Sequence, residues 1–165
     1  MTTSTDVQDS FRQVMASVCT PVSVATALDV ARPHGTTVSA FASLSMQPPM
    51  VLVSLDRGSD LLEIIRRTGR FGLNVLGADH VALALSFARK GDDKFADVDW
   101  QLQEQVPRIV GVSGWLACRA ATFVDGGDHI VVLGDVLFAE SLPGPPLTYH
   151  QRAFGTHATH AGSTR

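Results

Sequence analysis

Five small hydroxyl residues form the densest group of polar side chains in the sequence: Thr36, Thr37, Ser39, Ser43 and Ser45. They lie on and just after a predicted strand, and two adjacent prolines follow them. Hydroxyl groups and exposed backbone N–H groups can bind a phosphate or the carbonyls of a ring without strong positive charge. The alternative is an ordinary strand edge and turn rich in Ser and Thr, which composition alone favours.

A histidine follows a tight turn in the sequence Gly127-Asp128-His129, at the start of a predicted strand. A side chain in that position is both fixed and accessible, so the imidazole could orient a bound ligand. It could equally be a surface residue beside a glycine turn. Near the C-terminus, Tyr149 and His150 could cap a pocket or end a half-exposed strand.

Two lysines, Lys90 and Lys94, and Arg89 flank a pair of aspartates. They could contact an anionic ligand or form a solvated charge cluster. The histidines near the C-terminus lack a Cys or carboxylate partner at ligand spacing, so we expect no metal site. The sequence also lacks the dinucleotide-binding, P-loop, zinc-protease and hydrolase-elbow motifs.

Length and composition predict one globular domain: the chain has 165 residues, of which 45% are hydrophobic and 18% charged. The net charge of -3 argues against a nucleic-acid partner, which would require a basic surface. No apolar leader and no apolar stretch long enough to cross a membrane occur, so we expect a cytoplasmic protein without membrane contact. Cys19 and Cys118 are predicted to be buried free thiols.

Hydrophobic periodicity predicts the elements that must position these residues. An amphipathic helix with apolar residues from Phe11 to Val18 is expected to pack on a sheet. A hairpin follows, with Pro33 and Gly35 near its corner, and a last strand is expected in the segment LTYHQRAF. Further strands are predicted in MVLVSL, FGLNVL, 106–112, 115–124 and 129–141, the last two joined by the hairpin turn DGGD. Helices are predicted in 79–88 and in LLEIIRRT, which Ser59 or Asp60 caps, a Glu63–Arg67 pair stabilises and Gly69 ends. The segment GDDKFADVDW is expected to be an irregular surface loop. Six or seven mostly hairpin-linked strands favour an antiparallel barrel or sandwich with a few helices.

Several ordered blocks carry a resemblance to a known family. They are CTPVSVATAL, HGTTVSAFASLSMQPPMVLVSL, RFGLNVL, LSFARKGDDKFADVDW, GGDHIVVLGDV and PPLTYH. In this order they resemble the flavin reductase-like family, small NAD(P)H:flavin oxidoreductases that supply reduced flavin to two-component monooxygenases. The resemblance implies a mainly β fold with peripheral helices, a six-stranded antiparallel Greek-key split β-barrel of the FMN-binding type. It implies a split-barrel domain over residues 1–155. The composition of residues 156–165 predicts a polar tail, for which the family has no counterpart.

The resemblance also assigns site residues. It implies that the flavin ring contacts Thr37, Val38, Ser39 and Ala40, and that phosphate and ribityl groups contact Ser43, Leu44 and Ser45. Positions that approach the ribityl-phosphate or the adenylate fall on Ser54, Leu55, Asp56 and Arg57, with further flavin-side positions at Asn74 and Phe87 and a phosphate counter-charge at Lys94. His129 and Tyr149 match positions near the nicotinamide, where they would stack and orient NAD(P)H.

The implied reaction is hydride transfer from nicotinamide to flavin, for which the cofactors supply the reactivity and the protein supplies orientation. FAD or FMN and NADH or NADPH are the implied cofactors, with a lean toward FAD and NADH. The implied partners are a second copy of the chain, in a homodimer with flavin near the interface, and a flavin-dependent monooxygenase in a biosynthetic pathway. The alternatives are a storage or sensor module that binds flavin without turnover, and a divergent member with oxygen chemistry of its own.

Overall fold

The computed structural model describes residues 4–91 and 93–162 of the chain. The helices in these residues are α1 (Ser4–Ala16), α2 (Asp60–Thr68) and α3 (Val81–Ala88), and a short 3-10 helix, Ala78–His80, precedes α3. The strands are β1 (Thr20–Pro21), β2 (Ser23–Asp29), β3 (Arg32–Val38), β4 (Phe41–Met46), β5 (Pro49–Asp56), β6 (Arg70–Val75), β7 (Trp100–Gln103), β8 (Val106–Ile109), β9 (Gly114–Gly126), β10 (His129–Ser141), β11 (Thr148–His150) and β12 (Ala153–Gly155).

The main sheet contains seven antiparallel strands in the order β3-β2-β6-β9-β10-β5-β4. Its two edge strands, β3 and β4, are consecutive in the chain, and only Ser39 and Ala40 separate them. The sheet must therefore curl until its edges approach each other. The N–H of Ser54 in β5 donates to the Ala40 carbonyl at 2.9 Å, which extends the β4–β5 pairing into the crossing. The mainly β barrel class is confirmed. The count is seven strands rather than six, because this crossing divides the predicted strand TTVSAF in two.

The central strands β2 and β6, and the first part of β9 (114–118), are buried on both faces. Along β6, Phe71 and Leu73 pack inside the barrel with α2, whereas Leu76, just beyond the strand, packs on the other side with α3 and the β7–β8 hairpin. Successive strand residues point to opposite faces, so a strand covered on both sides must be apolar at nearly every position. This explains why runs such as FGLNVL lack a polar alternation.

Helix α2 follows its sequence prediction closely. It ends at Gly69, which has a φ of 70° and donates its N–H to the Ile65 carbonyl at 2.8 Å. A residue in this left-handed conformation is the usual end of a helix, and glycine adopts it without strain. The ion pairs differ from the expected Glu63–Arg67 contact: Arg66 pairs with Glu63, and Arg67 pairs with Asp29.

Helix α1 has the predicted amphipathic pattern but does not pack on the sheet, so that expectation is wrong. Its apolar side chains are exposed by 58% at Val7, 63% at Phe11, 64% at Val14 and 46% at Met15. The spacing shows that one face of the helix is apolar, but not which surface covers that face. No segment of the described chain covers it.

Three segments differ from the sequence expectation. The β2–β3 corner lies at Val30 and Ala31, and Pro33 stands within β3, which tolerates proline because it is an edge strand. The last predicted strand is two short strands, β11 and β12, joined at Gln151 and Arg152. Strand β7 was not predicted as a strand; its first residue, Trp100, ends the segment GDDKFADVDW that was expected to be an irregular loop.

Both cysteines are free, but only one is buried as predicted. Cys19 is exposed, whereas Cys118 is 1% exposed in the barrel. Burial, with the nearby Asp135 charge adding to it, raises the pKa of the Cys118 thiol to about 12. In the described residues no helix is both long and apolar enough to cross a membrane.

Candidate functional site

An open cavity of about 720 Å³ lies where the two edges of the sheet meet. Its walls come from β3 and the crossing after it, from the end of β5 and the start of α2, from the segment after α3, and from the first residue of β10. Sites for small molecules usually enclose roughly 300–1,000 Å³, so the cavity is large enough for a nucleotide-sized ligand.

The β3 wall contains the whole predicted ring segment: Thr37, Val38, Ser39 and Ala40 all line the cavity. Thr37 donates its hydroxyl hydrogen to the Ala84 carbonyl in α3 at 2.6 Å. Its oxygen therefore remains available only as an acceptor. Thr36 also lines the cavity, so three of the five hydroxyl residues of the sequence cluster come together here.

The other part of that cluster does not reach the cavity. Ser43, Leu44 and Ser45 lie on β4, which runs from the crossing along the opposite edge of the sheet. Ser43 and Leu44 are exposed to solvent, and Ser45 is half-buried. The cavity within one chain does not include these three residues. The phosphate and ribityl contacts that the resemblance implies for them remain a prediction.

A second wall, which we call the hairpin wall, consists of the turn 56–59 and the tip of the β9–β10 hairpin, residues 125–129, of which Asp56, Gly58, Ser59 and His129 line the cavity. Ser54, Leu55 and Asp56 line the cavity beside it, as predicted cofactor-binding residues would. The Asp56 side chain accepts a hydrogen bond from the Gly58 N–H at 2.7 Å, which fixes the turn.

Arg57 is engaged with the hairpin and is absent from the cavity lining. Its Nε donates to the Gly127 carbonyl at 2.6 Å, its Nη2 donates to Asp125 at 2.8 Å, and its backbone N–H donates to the Asp128 carbonyl at 3.0 Å. Arg57 therefore does not line the cavity, and its implied cofactor-binding role remains a prediction. Its contacts hold the hairpin tip against the turn that follows β5.

His129 lines the cavity as the first residue of β10, where it pairs with Asp56 of β5. Its Nδ1 lies 2.7 Å from the Asp128 carboxylate. This hydrogen bond, together with the His129 charge when protonated, holds the pKa of Asp128 below its ordinary value. The contact restrains the ring at the edge of the cavity, in the position that the glycine turn predicted.

A third wall, which we call the lysine wall, consists of residues 88–91 together with Lys94 and Phe95. Lys94 is partly buried and donates to the Phe87 carbonyl at 3.0 Å and to the Gly35 carbonyl at 3.2 Å. Burial lowers the pKa of Lys94, and the Asp60 charge opposes that shift. Arg89 and Lys90 add positive charge to the same wall.

Asn74 lies outside the cavity, in the core. It is 0% exposed; its amide donates to the Val24 carbonyl and the Thr26 hydroxyl, and its Oδ1 accepts from the Ile109 N–H at 2.8 Å. These bonds join β6 to β2 and β8. In this chain Asn74 satisfies buried polar groups, which its place in an apolar strand did not reveal.

Two other predicted site residues also lie elsewhere. Phe87 is 0% exposed and packs edge-on against Phe95, with ring centroids 4.8 Å apart, behind the lysine wall. Tyr149 belongs to the small sheet β1-β11-β12, is 37% exposed and packs on Phe154. The flavin-side and nicotinamide-side roles implied for them remain predictions.

Several cavity residues were not predicted as part of the site. They are Pro33, His34, Gly35, Gly58, Ser59, Asp60, Leu61, Ala88, Gly91 and Phe95. Most of them adjoin predicted residues in the sequence, so extending each motif along the chain would have found them. The start of α2 is the exception, because Ser59 and Asp60 were interpreted only as helix caps. Among the described residues, no group of three His, Cys, Asp or Glu side chains could hold a metal ion.

A protein-family model described as flavin reductase like domain matches residues 15–158 of the chain. The chain is also 37% identical over 145 residues to the reductase component of a 4-nitrophenol 4-monooxygenase/4-nitrocatechol 2-monooxygenase from Rhodococcus opacus, with 88% of this chain and 78% of the relative covered. It is 38% identical over 147 residues to an FMN reductase (NADH) from Agrobacterium fabrum, with 88% and 84% covered.

A solved structure shares the architecture over nearly the whole length. It is the NADH:FAD oxidoreductase of Streptomyces globisporus C-1027 in complex with NAD and FAD fragments, which superposes with a TM-score of 0.89 at 29% sequence identity. The superposition covers 98% of this chain and 98% of that chain.

Proposed function

The chain belongs to the flavin reductase-like domain family, and on this premise we propose that it is an NAD(P)H:flavin oxidoreductase that supplies reduced flavin to a partner monooxygenase. The resemblance of the ordered sequence blocks is thereby confirmed. The relatives are named as reductases, so the alternative of a storage or sensor module is not supported.

The observation that carries the proposal is the composition of the cavity. One wall presents hydroxyl groups on β3, the lysine wall presents cations, and the hairpin wall presents an imidazole. Such a surface suits a ligand that has a polar ring system at one end and phosphates at the other. The lining of the cavity supports a flavin as the ligand, and we assign Thr37, Val38, Ser39 and Ala40 to its ring.

A bound flavin supplies the hydride chemistry, since it accepts hydride from the nicotinamide of NAD(P)H. The chain's own residues bind and orient. Thr37 can only accept a hydrogen bond, because its hydroxyl hydrogen is used by Ala84. His129, restrained by Asp128, stands at the open edge where a nicotinamide would enter.

We propose NADH as the donor and either FAD or FMN as the acceptor. The support is that one relative is named FMN reductase (NADH) and that the superposed structure is an NADH:FAD oxidoreductase. A cytoplasmic location is part of the proposal, because nicotinamide nucleotides are available there, and the exposed free thiol of Cys19 fits a reducing compartment.

We also propose that the protein is a homodimer. The support is the exposed apolar stripe of α1, formed by Val7, Phe11, Val14 and Met15, since monomers seldom expose apolar side chains in a contiguous row. Light scattering after gel filtration is expected to give twice the 17.6 kDa chain mass. A variant with Phe11→Asp and Val14→Asp is expected to be monomeric, and a monomeric wild type would refute this part of the proposal.

The first experiment measures oxidation of NADH and NADPH in the near ultraviolet with added FAD, FMN or riboflavin. Oxidation that depends on flavin and exceeds the protein-free rate is expected, with NADH preferred. If flavin binds but no nucleotide pair turns over, the proposed activity is wrong.

The role of His129 is tested separately. We expect His129→Ala to raise the KM for NADH by about tenfold while the KM for flavin changes by less than about twofold, because the ring stands at the open edge of the cavity. A matched control is His150→Ala, since His150 lies on β11, in the separate small sheet β1-β11-β12. Unchanged NADH kinetics in His129→Ala would remove this residue from the site.

A further inference from the structure

The Lys94 ammonium group joins two elements that form neighbouring walls of the cavity. The Phe87 carbonyl belongs to the last turn of α3, and the Gly35 carbonyl belongs to the edge strand β3. Carbonyls in the last turn of a helix have no partner within the helix, and a cation nearby stabilises that end. Lys94 therefore donates a hydrogen bond to one backbone carbonyl on each of the two elements.

The contacts of Lys94 leave it little freedom to serve a phosphate. An ammonium group has three N–H donors, and two of them are used by Phe87 and Gly35. The next residue, Phe95, is 8% exposed and packs against Phe87 and Trp100 at centroid distances of 4.8 and 5.9 Å. The polar and apolar contacts together fasten this segment to α3 and β3.

We propose that Lys94 is a positioning residue of the flavin site, which fastens the lysine wall to β3 and so shapes the cavity for the part of the ligand that all flavins share. It does not act mainly as a counter-charge for phosphate. This inference rests on the proposed function, because it takes the cavity to be the flavin site. The neighbouring Lys90 differs: it is exposed and lines the same wall, and the described residues show no hydrogen bond from its side chain.

The two roles of Lys94 predict different ligand patterns. Riboflavin, FMN and FAD share the ring and ribityl chain, but riboflavin has no phosphate. Loss of a positioning contact weakens all three by a common factor that salt does not change. Loss of a counter-charge weakens only FMN and FAD, and salt reduces the effect because it screens phosphate charge.

The experiment measures the Kd of each flavin by fluorescence quenching, at low and high salt, for the wild type and Lys94→Met. Methionine keeps the unbranched apolar stem but removes the donors. We expect the Kd of all three flavins to rise by a common factor of about ten, as for lost hydrogen bonds to a charged group. Lys90→Met is the matched comparison, with a rise expected only for FMN and FAD.

Steady-state kinetics separate positioning from general damage to the fold. For Lys94→Met we expect a higher KM for riboflavin with an unchanged kcat at saturating flavin, whereas partial unfolding would lower kcat. A loss confined to FMN and FAD, or no loss for any flavin, would overturn the inference. A wild type that neither binds nor reduces flavin would instead refute the proposed function itself.

If Lys94→Met does not fold, Lys94→Arg replaces it. Arginine keeps the charge, but its planar guanidinium cannot reproduce the geometry of a compact ammonium between two carbonyls. We expect weaker binding of all three flavins. Unchanged binding of FMN and FAD in this variant would overturn the inference.

Discussion

The lysine wall and the hairpin wall border the same cavity but are held in different ways. Lys94 is partly buried and bonded to two backbone carbonyls, and Phe95 beside it is 8% exposed. In the hairpin wall the side chains of Arg57 and Asp125 are 46% and 82% exposed, and that of Asp128 is 90% exposed. Exposed ion pairs contribute about 0–1 kcal/mol and are screened by salt, whereas buried contacts are screened much less.

This difference in exposure indicates different roles for the lysine wall and the hairpin wall. Residues 88–91 of the lysine wall are exposed, but its part at Lys94 and Phe95 is fastened by buried contacts and keeps a fixed shape, which suits the flavin that every catalytic cycle requires. A wall held by exposed contacts can adjust at small energetic cost, which suits a nicotinamide nucleotide that enters and leaves. The following predictions test this division.

The largest expected effect is a steric disruption by Gly35→Ala at the point on β3 to which Lys94 fastens the lysine wall. A Cβ atom at this position would lie 2.8 Å from Cε1 of Phe87, whose ring is fully buried. Overpacking of this kind costs about 1–3 kcal/mol, so we expect the free energy of unfolding to fall by that amount and flavin binding to weaken. Denaturant unfolding and flavin titration measure both effects.

The control places the same substitution in the hairpin wall. In Gly58→Ala the nearest atom to the new Cβ is Oδ1 of Asp56 at 3.2 Å, an exposed side-chain oxygen that has to shift by only a few tenths of an ångström. We expect a change within about 0.5 kcal/mol. Equal destabilisation by both substitutions would show that the two walls do not differ in rigidity.

A smaller effect is expected from loosening the hairpin wall with Arg57→Ala. This change removes both the 2.6 Å bond to Gly127 and the ion pair with Asp125, so His129 is less well restrained. We expect the KM for NADH to rise about fivefold, corresponding to about 1 kcal/mol, while the KM for flavin changes less.

Asp125→Ala is the matched control, because it removes only the exposed ion pair. We expect it to change the KM for NADH by less than about twofold, and high salt to have the same effect on the wild type. A rise in the flavin KM as large as the rise in the NADH KM for Arg57→Ala would contradict the division between the walls.

The smallest effect concerns the pH dependence of the hairpin wall. The hydrogen bond to His129 holds the pKa of Asp128 below its ordinary value of 3.8. A carboxylate with a lowered pKa stabilises the folded state above its unfolded pKa, and this contribution disappears as the pH falls through the folded pKa. We expect the unfolding midpoints of the wild type and Asp128→Asn to differ slightly above pH 3.8 and to converge below it. Midpoints that stay apart at the acid end would contradict this account.

Features that depend on neighbouring residues in the chain were predicted well. The end of α2 at Gly69 follows from the left-handed conformation that glycine permits. The β9–β10 hairpin follows from the DGGD turn between two apolar runs, and with it the position of His129. In each case the signal lies within a few residues of the feature.

Features that depend on contacts between distant segments were predicted poorly. The pattern of α1 identified its apolar face but not that the described residues leave this face uncovered. Asn74 was assigned to the cofactor side, yet its partners at Val24, Thr26 and Ile109 place it in the core. No spacing rule within one strand reveals which residues of other strands will face it.

The sequence by itself determined the β-rich class, the local turns, and the set of hydroxyl, cationic and imidazole groups available for a flavin. Only the tertiary structure decided which of them meet. The crossing at Ser39 and Ala40 sends β3 and β4 to opposite edges, so Thr37 reaches the cavity and Ser43 does not. The physical reason is that local backbone preferences set the conformation of each segment, whereas closure of the sheet brings together residues that are far apart in the chain.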